Sequence, residues 1–458
     1  MSITRPMGFR AAATSAGIKP SGKTDLMLLV CDLPASDSPA GRMAARDGAD
    51  PRSRLASAAV FTRNQVVGAP VEIGRRWRST YLNNWERGSS LTTEAGVGAI
   101  RAVLVNAGCS NAATGSAGVE DAKRTMRCVA EHYPCSMESV MPSSTGIIGH
   151  RLPVEKINGA IPGLVSSLSR SKDADDAAAR AIMTTDLVPK SAHREIEVAG
   201  HSVHLGAICK GSGMIAPSLD VAGDVGGIGP HGTMLAFITT DACIDAPCLQ
   251  LALEHACRES FDRVSVDAHP SCSDTVLCLA SGHSAMPPIH RNDPAFFGFQ
   301  RALASLCEEL AMKIVRDGEG ATRVFRVEVR GARSNEEATR LARAVVDSPL
   351  VKCAIHGKDP NWGRIVTAAG NAGVPFDPAE SSLILGSLPH GAGEKAEVEV
   401  YRHGLPTGIK KDDPRLVAAM NADPVYATLT VGYGPGQAFM LGCDLSADYV
   451  RINADYTT

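Results

Sequence analysis

The amino-acid sequence predicts a mixed α/β protein. Short runs rich in Val, Ile and Leu, which are typical of buried strands, recur along the chain. Longer segments between them carry apolar residues about one helical turn apart. A chain of 458 residues can bury a substantial core and form two or three domains. These observations predict at least two layers each of strands and helices.

Apolar runs locate the predicted strands, and periodic patterns locate the helices. The strands are expected at 25–31, 58–62, 101–106, 205–209, 234–239, 263–267, 274–280, 323–331, 395–401 and 426–433. The clearest helices are expected at 248–260, 295–316 and 335–348. The last follows Ser334, which begins a capping-box pattern with Glu337. Two segments without periodic apolar positions, 34–56 and 220–231, are predicted to be surface insertions.

Charge and cysteine usage favour a small-molecule enzyme of the cytoplasm. The net charge of -3 provides no long-range field for nucleic acid or an acidic membrane. No apolar run reaches the roughly 18 residues that a membrane span requires. The 13 cysteines form no CxxC pair and lack zinc-ligand spacing, so reduced thiols and no metal site are expected.

Two glycine motifs imitate nucleotide-binding loops. Residues 17–24, GIKPSGKT, match the phosphate-loop pattern, but an alanine-rich piece precedes them and a strand pattern follows. Residues 211–216, GSGMIA, imitate a dinucleotide fingerprint, but Pro217 prevents the required helix. Both are therefore predicted to be turns, and no nucleotide cofactor is expected.

The strongest chemical signal is a lysine before a glycine turn, followed later by Gly232-Thr233 at the head of an apolar strand. Lys210 precedes the turn. Cleavage between Gly232 and Thr233 would make the threonine a chain start. Its own amine could then act as the base for its hydroxyl nucleophile, since an α-amine has a pKa of about 7.7 to 8.0.

Motifs along nearly the whole chain share their order and spacing with one family. They are GFRAA (8–12), GIKPSGKTDL (17–26), VFTRNQV (60–66), SSTGIIG (143–149), IMTTDLVPK (182–190), DGEGATR (317–323), DPNWGR (359–364) and NADYTT (453–458). The chain resembles the ornithine acetyltransferases, the glutamate N-acetyltransferases of arginine biosynthesis. The resemblance implies an N-terminal-nucleophile-like layered sandwich, with helices outside, sheets inside and a second, smaller C-terminal lobe.

The resemblance also implies processing and an activity. Self-cleavage after Gly232 would give an α chain of 1–232 and a β chain of 233–458, assembled as a heterotetramer of two of each. Thr233 would carry acetyl from N-acetylornithine to glutamate. The residues leave open whether acetyl-CoA is a second donor. They also leave open a same-fold aminopeptidase and a non-catalytic amino acid binder.

The remaining site residues follow from the same motifs. Thr145 and Gly146 would form the oxyanion hole, with Thr114-Gly115 as a competing pair. The substrate-binding residues would be Thr184, Lys210, Thr233, Glu319, Asn453 and Thr458. Glu319 suits a substrate ammonium and Lys210 a carboxylate, although an isolated loop glutamate would be read as a solvated charge.

Two departures from the family pattern concern the cleavage region. About twelve extra residues separate Leu219 from Gly232, and Ser273 stands where the family has asparagine. Both place the efficiency of cleavage in question.

Overall fold

A computed structural model describes residues 1–455, except 47, 49, 88–96, 222–233, 270 and 387–396. Gly232, Thr233 and Thr458 therefore lie outside the described residues. The described chain divides into two compact units. The first comprises Met1–Asp262 and His269–Ala311, and the second comprises Arg263–Ala268 and Met312–Thr457. The second unit corresponds to the smaller C-terminal lobe expected from the sequence.

The elements alternate along the chain. The strands are β1 (Phe9–Thr14), β2 (Leu26–Cys31), β3 (Ala56–Phe61), β4 (Ala102–Cys109), β5 (Val140–Ile147), β6 (Lys190–Val198), β7 (His201–Lys210), β8 (Leu235–Thr240), β9 (Val264–Ser265), β10 (Thr275–Ala280), β11 (Val324–Ala332), β12 (Ser382–Gly386), β13 (Glu397–Arg402), β14 (Leu405–Pro406), β15 (Val425–Thr430) and β16 (Gly436–Cys443). The helices are α1 (Pro39–Arg46), α2 (Ala69–Glu86), α3 (Gly115–His132), α4 (Val154–Ser166), α5 (Lys172–Ala181), α6 (Ala246–Glu259), α7 (Pro294–Arg316), α8 (Asn335–Val346), α9 (Pro349–His356), α10 (Trp362–Gly370), α11 (Pro414–Asn421) and α12 (Ala447–Asp455).

The first unit contains a four-stranded sheet, β1-β2-β4-β5, and a five-stranded sheet, β3-β10-β8-β7-β6. Every residue of β2, β3, β8 and β10 is buried, so these strands are covered on both faces. Strands covered on both faces read as continuous apolar runs, which is why the sequence pattern locates them. Helices α3 and α4 contribute Met126, Val129, Ile157 and Ile161 to the core of the four-stranded sheet.

The second unit has its own sheet and core. Its seven strands are ordered β14-β13-β12-β15-β11-β16-β9. Helix α8 packs Leu341 and Val345 against this sheet beside Phe325 and Met440. At the start of α8, the Ser334 hydroxyl accepts the backbone N–H of Glu337, which agrees with the predicted cap.

The predicted α/β class is confirmed, and each predicted strand and helix overlaps an observed one. Segment 34–56, predicted to be a surface insertion, contains α1 and the start of β3. Its Arg54 is buried and donates to the carbonyls of Gly282, Ser284 and Met286, so this arginine orders a neighbouring loop. The other expected insertion, 220–231, is described only at its first two residues.

Ten of the 13 cysteines are buried, and none is placed in a disulfide bond. Among the helices of the described residues, none combines the length and apolar character needed to cross a membrane.

Candidate active site

Three strand ends meet at one edge of the five-stranded sheet. β8 runs antiparallel to β7 with Leu235 opposite Lys210, and parallel to β10 with Leu235 opposite Thr275. The chain enters β8 from Gly232 and Thr233, which lie outside the described residues. The register therefore places the last residue of β7 and the first residue of β10 on either side of the strand that follows Thr233.

Thr145 on β5 lies against Lys210. The Lys210 ammonium donates to the Thr145 hydroxyl oxygen at 3.5 Å, and these residues are only 2% and 1% exposed. The two strands belong to different sheets, so this contact joins the layers of the first unit. Because the lysine uses the oxygen as an acceptor, the hydroxyl hydrogen of Thr145 is left to donate elsewhere.

Gly146 is a position that only glycine can occupy. Its φ of +127° lies in the region that disfavours side chains. A Cβ there would lie 2.4 Å from the carbonyl carbon of Gly108 and 2.6 Å from the nitrogen of Cys109. The backbone of β5 therefore packs directly on β4 at the end of the strand, which holds the Thr145-Gly146 peptide in place.

The competing pair, Thr114-Gly115, has a local structural role. The Thr114 hydroxyl donates to the side-chain oxygen of Asn111 at 2.9 Å, immediately before α3 begins. This bond occupies the hydroxyl hydrogen that an oxyanion donor would need. The geometry favours Thr145 over Thr114 for that part.

Asp186 is a central residue that the sequence interpretation did not single out. Its carboxylate accepts the ammonium of Lys190 at 2.6 Å and the backbone N–H groups of Gly211 at 2.7 Å and Thr184 at 3.0 Å. Burial alone would raise the pKa of the Asp186 carboxyl, but the charges of Lys210 and Lys190 and these hydrogen bonds hold it at about 2. Asp186 is therefore an anion that ties Thr184 to the turn after Lys210. The sequence signal that could have identified Asp186 is its position in the motif IMTTDLVPK (182–190).

Asp274, which immediately precedes β10, contacts the head of β8. Its Oδ1 accepts the backbone N–H of Met234 at 2.6 Å, and the residue is 0% exposed. The sequence interpretation singled out neighbouring Ser273 and not Asp274. The Ser273 backbone N–H donates to the Ser271 hydroxyl, which helps to shape the turn before the strand.

Glu319 and Asn453 meet within the second unit. The Asn453 amide donates to the Glu319 carboxylate at 2.8 Å, and Glu319 is only 8% exposed. Gly320 has a φ of +68°, and a Cβ there would lie 2.5 Å from the nitrogen of Tyr449. Glu319 is thus held in a tight turn against α12. It is not a solvent-exposed loop residue.

The backbone donors at the apparent phosphate loop already bind a side chain, that of Asp25 directly after the motif. The backbone N–H groups of Ala16, Ile18 and Lys19 donate to the Asp25 carboxylate at 2.6, 2.6 and 2.9 Å. These are the donors that a phosphate would need. The segment lies between two strands, β1 and β2, so the predicted turn is observed and the loop carries an anion already.

One group of side chains in the described part of the chain could hold a metal ion. The ligand atoms of Cys128, Glu131 and His132 on α3 lie within 4.8 Å of one another. Glu131 and His132 are exposed to solvent. None of the residues above belongs to this group, and the proposed chemistry assigns it no part.

A family model and curated relatives identify one family. Residues 50–458 match the model of the ArgJ family. The "Arginine biosynthesis bifunctional protein ArgJ" of Thermosynechococcus vestitus is 38% identical over 472 residues, covering 100% of this chain and 98% of the relative. The protein of the same name from Synechocystis sp. is 38% identical over 456 residues, with 100% and 98% coverage.

Solved structures of similar sequence include two half-length matches. The Bacillus halodurans structure titled arginine biosynthesis bifunctional protein argJ is 40% identical, covers 49% of this chain and 100% of its own, and has a TM-score of 0.45. The Mycobacterium tuberculosis ornithine acetyltransferase complexed with ornithine is 33% identical, with 48% and 95% coverage and a TM-score of 0.35.

Proposed function

Because this chain belongs to the ArgJ family, we propose that it moves an acetyl group from N-acetyl-L-ornithine to L-glutamate through an ester on Thr233. The protein is an acyltransferase of arginine biosynthesis. Ornithine and acetylglutamate are the products that this reaction would release.

The first step is formation of the nucleophile. Attack of the Thr233 hydroxyl on the carbonyl carbon of Gly232, followed by hydrolysis of the resulting ester, leaves Thr233 with a free amine. That amine accepts the hydroxyl proton while Oγ attacks the acetyl carbonyl of acetylornithine. The C–N bond then breaks and ornithine leaves with the proton. The amine of glutamate then attacks the ester carbonyl carbon, the bond from this carbon to Oγ breaks, and the Thr233 amine passes the proton released by glutamate to Oγ, which regenerates the hydroxyl.

Thr145 and Gly146 would stabilise the tetrahedral oxyanion. Support comes from the hydroxyl hydrogen that Lys210 leaves available on Thr145, and from the close packing that fixes the Gly146 backbone. Hydrogen-bond donors that are already in position stabilise the carbonyl oxygen of the acetyl group as it becomes negative, and loss of one such donor lowers kcat strongly.

Substrate recognition would use charge complementarity. Lys210 and the neighbouring backbone donors suit an α-carboxylate, and Glu319 with Asn453 suits an ammonium. Thr184 and Thr458 would complete the set. Acetyl-CoA as an additional donor and assembly as two α and two β chains also belong to the proposal.

The observation that carries the proposal is the placement of Lys210 and Thr145 beside the start of β8, the strand that follows Thr233. The test combines a mass measurement of the purified protein with an assay of acetylornithine and glutamate. Cleavage after Gly232 and formation of acetylglutamate are expected. Free acetate without acetylglutamate would indicate the aminopeptidase-like alternative, and an intact, inactive chain would indicate an amino acid binder.

A further inference from the structure

One face of α3 carries three ligand groups that have no part in the proposed reaction. Glu131 and His132 follow Cys128 by three and four residues, a spacing that places side chains on the same side of a helix. A thiol, a carboxylate and an imidazole are the donor types that zinc binds in proteins. The expectation of no metal site depended on the spacing between cysteines, and this group contains one cysteine.

The side chains of Glu131 and His132 can reach a metal ion from solvent, because both residues are exposed. The Glu131 carboxylate makes no ion pair or hydrogen bond with any residue that the structure describes. His132 Nδ1 lies 2.8 Å from the Cys128 carbonyl oxygen. A backbone carbonyl is a usual partner for the ring nitrogen of a metal-binding histidine that does not contact the metal.

A fourth oxygen comes from the neighbouring helix, α4. The Cys128 thiol donates to the backbone carbonyl oxygen of Asn158 at 3.8 Å. Within a helix, this carbonyl would accept the backbone N–H four residues later. That residue is Pro162, which has no N–H. The Asn158 carbonyl is therefore left without its normal helical donor and lies beside the thiol.

The distance between this sulfur and this oxygen suits a bound zinc ion. Zinc bonds are about 2.3 Å to sulfur and about 2.1 Å to oxygen. Two such bonds span the observed 3.8 Å with an angle of about 120° at the metal. This value is close to the tetrahedral angle that zinc prefers.

We propose that Cys128, Glu131 and His132 bind one zinc ion, with the carbonyl oxygen of Asn158 as the fourth ligand. Zinc takes the place of the thiol proton, which passes to solvent. The bound ion links α3 to α4, the two helices that cover the four-stranded sheet. The inference does not depend on the proposed acetyl transfer.

Cobalt(II) is the spectroscopic probe for this site. Cobalt bound to a thiolate gives a charge-transfer band in the near ultraviolet, and tetrahedral coordination gives strong visible bands. We expect the reduced wild-type protein to show both signals with one equivalent of cobalt, and excess zinc to remove them. A wild-type protein without the thiolate band would overturn the proposal.

Cys128→Ser removes the thiolate. The charge-transfer band should disappear, and zinc affinity, measured by competition with a coloured chelator, should fall at least about 10- to 100-fold, since even an outer partner of a metal ligand has that effect. Zinc should raise the Tm of the wild type and not of this variant. If Cys128→Ser does not fold, the exposed positions decide, because unchanged zinc affinity in both Glu131→Gln and His132→Gln would overturn the proposal.

Cys135→Ser and Cys353→Ser are the matched controls. Cys135 is partly buried, as Cys128 is, and Cys353 is exposed. Neither belongs to the ligand group. Both controls should retain the thiolate band and the zinc affinity of the wild type. A band that survives in Cys128→Ser and is lost in either control would place the metal at another cysteine and overturn the site.

Pro162→Ala tests the fourth ligand without changing the three side chains. Alanine supplies the N–H that the Asn158 carbonyl lacks, so the helix would compete with the metal for this oxygen. We expect weaker zinc binding with the thiolate band retained. Zinc affinity equal to that of the wild type would overturn the part assigned to Asn158.

Discussion

Asp186 and Asp176 each form an ion pair with a lysine at the same N–O distance, but the first pair is buried and the second is exposed. Asp186 accepts Lys190 at 2.6 Å with the side chains 0% and 1% exposed. Asp176 accepts Lys172 at the same 2.6 Å and the same four-residue spacing, with the side chains 54% and 73% exposed. Replacing each aspartate with asparagine keeps the shape and removes the charge. We expect a large loss of stability for Asp186→Asn and no measurable loss for Asp176→Asn.

The magnitude follows from the buried environment. The shift of the Asp186 pKa from 3.8 to about 2 corresponds to about 2 kcal/mol in favour of the charged form. Lys190 and Lys210 also lose the anion beside them, and breaking a buried pair on one side costs about 3–5 kcal/mol. We therefore expect Asp186→Asn to lower the free energy of unfolding by about 3–5 kcal/mol.

Urea unfolding at neutral pH, followed for the wild type and both variants, measures these values. The pH dependence supplies a second test. The folded pKa of Asp186 is depressed, so its contribution is present above the unfolded value near 3.8 and is lost as pH falls toward about 2. Asp186→Asn should lack this acid-dependent part. A loss below about 1 kcal/mol at neutral pH would refute the importance of the buried anion.

Three further predictions concern the reaction. Thr145→Ala should lower kcat about 100- to 1000-fold, the usual effect of losing one oxyanion donor, with little change in acetylornithine affinity. A larger decrease of kcat in Thr114→Ala would assign the oxyanion donor to Thr114. Glu319→Gln removes the charge beside Asn453, so saturation by ornithine and glutamate should require higher concentrations while chain cleavage persists; normal saturation would exclude the ammonium contact. Thr233→Ala should remain one uncut, inactive chain, whereas the wild type should give a fragment that begins Thr-Met-Leu-Ala by terminal sequencing; a fully active but uncut wild type would refute the amine base.

The local sequence pattern was sufficient to predict strands whose own residues are almost all apolar. β8 and β10 are buried on both faces, and their sequences are almost continuously apolar. The local sequence pattern did not predict strands β5 and β6. β5 buries Ser144, whose hydroxyl donates to Asn106 at 2.6 Å, so its polar residues do not read as a buried strand. β6 lies at the edge of its sheet, where polar side chains such as Arg194 and Glu195 face partly outward.

The sequence alone determined the α/β class, the family resemblance and the identity of the expected nucleophile, because these depend on residue order along the chain. Only the tertiary structure brought Thr145 to Lys210, 65 residues apart, and Asp274 to Met234, 40 residues apart. Those approaches depend on strand register and on the packing of two sheets, which are long-range properties. The same packing brings Lys190 and Lys210 to the buried Asp186, whose pKa their charges lower, and it buries Asp274, which raises the pKa of that carboxyl.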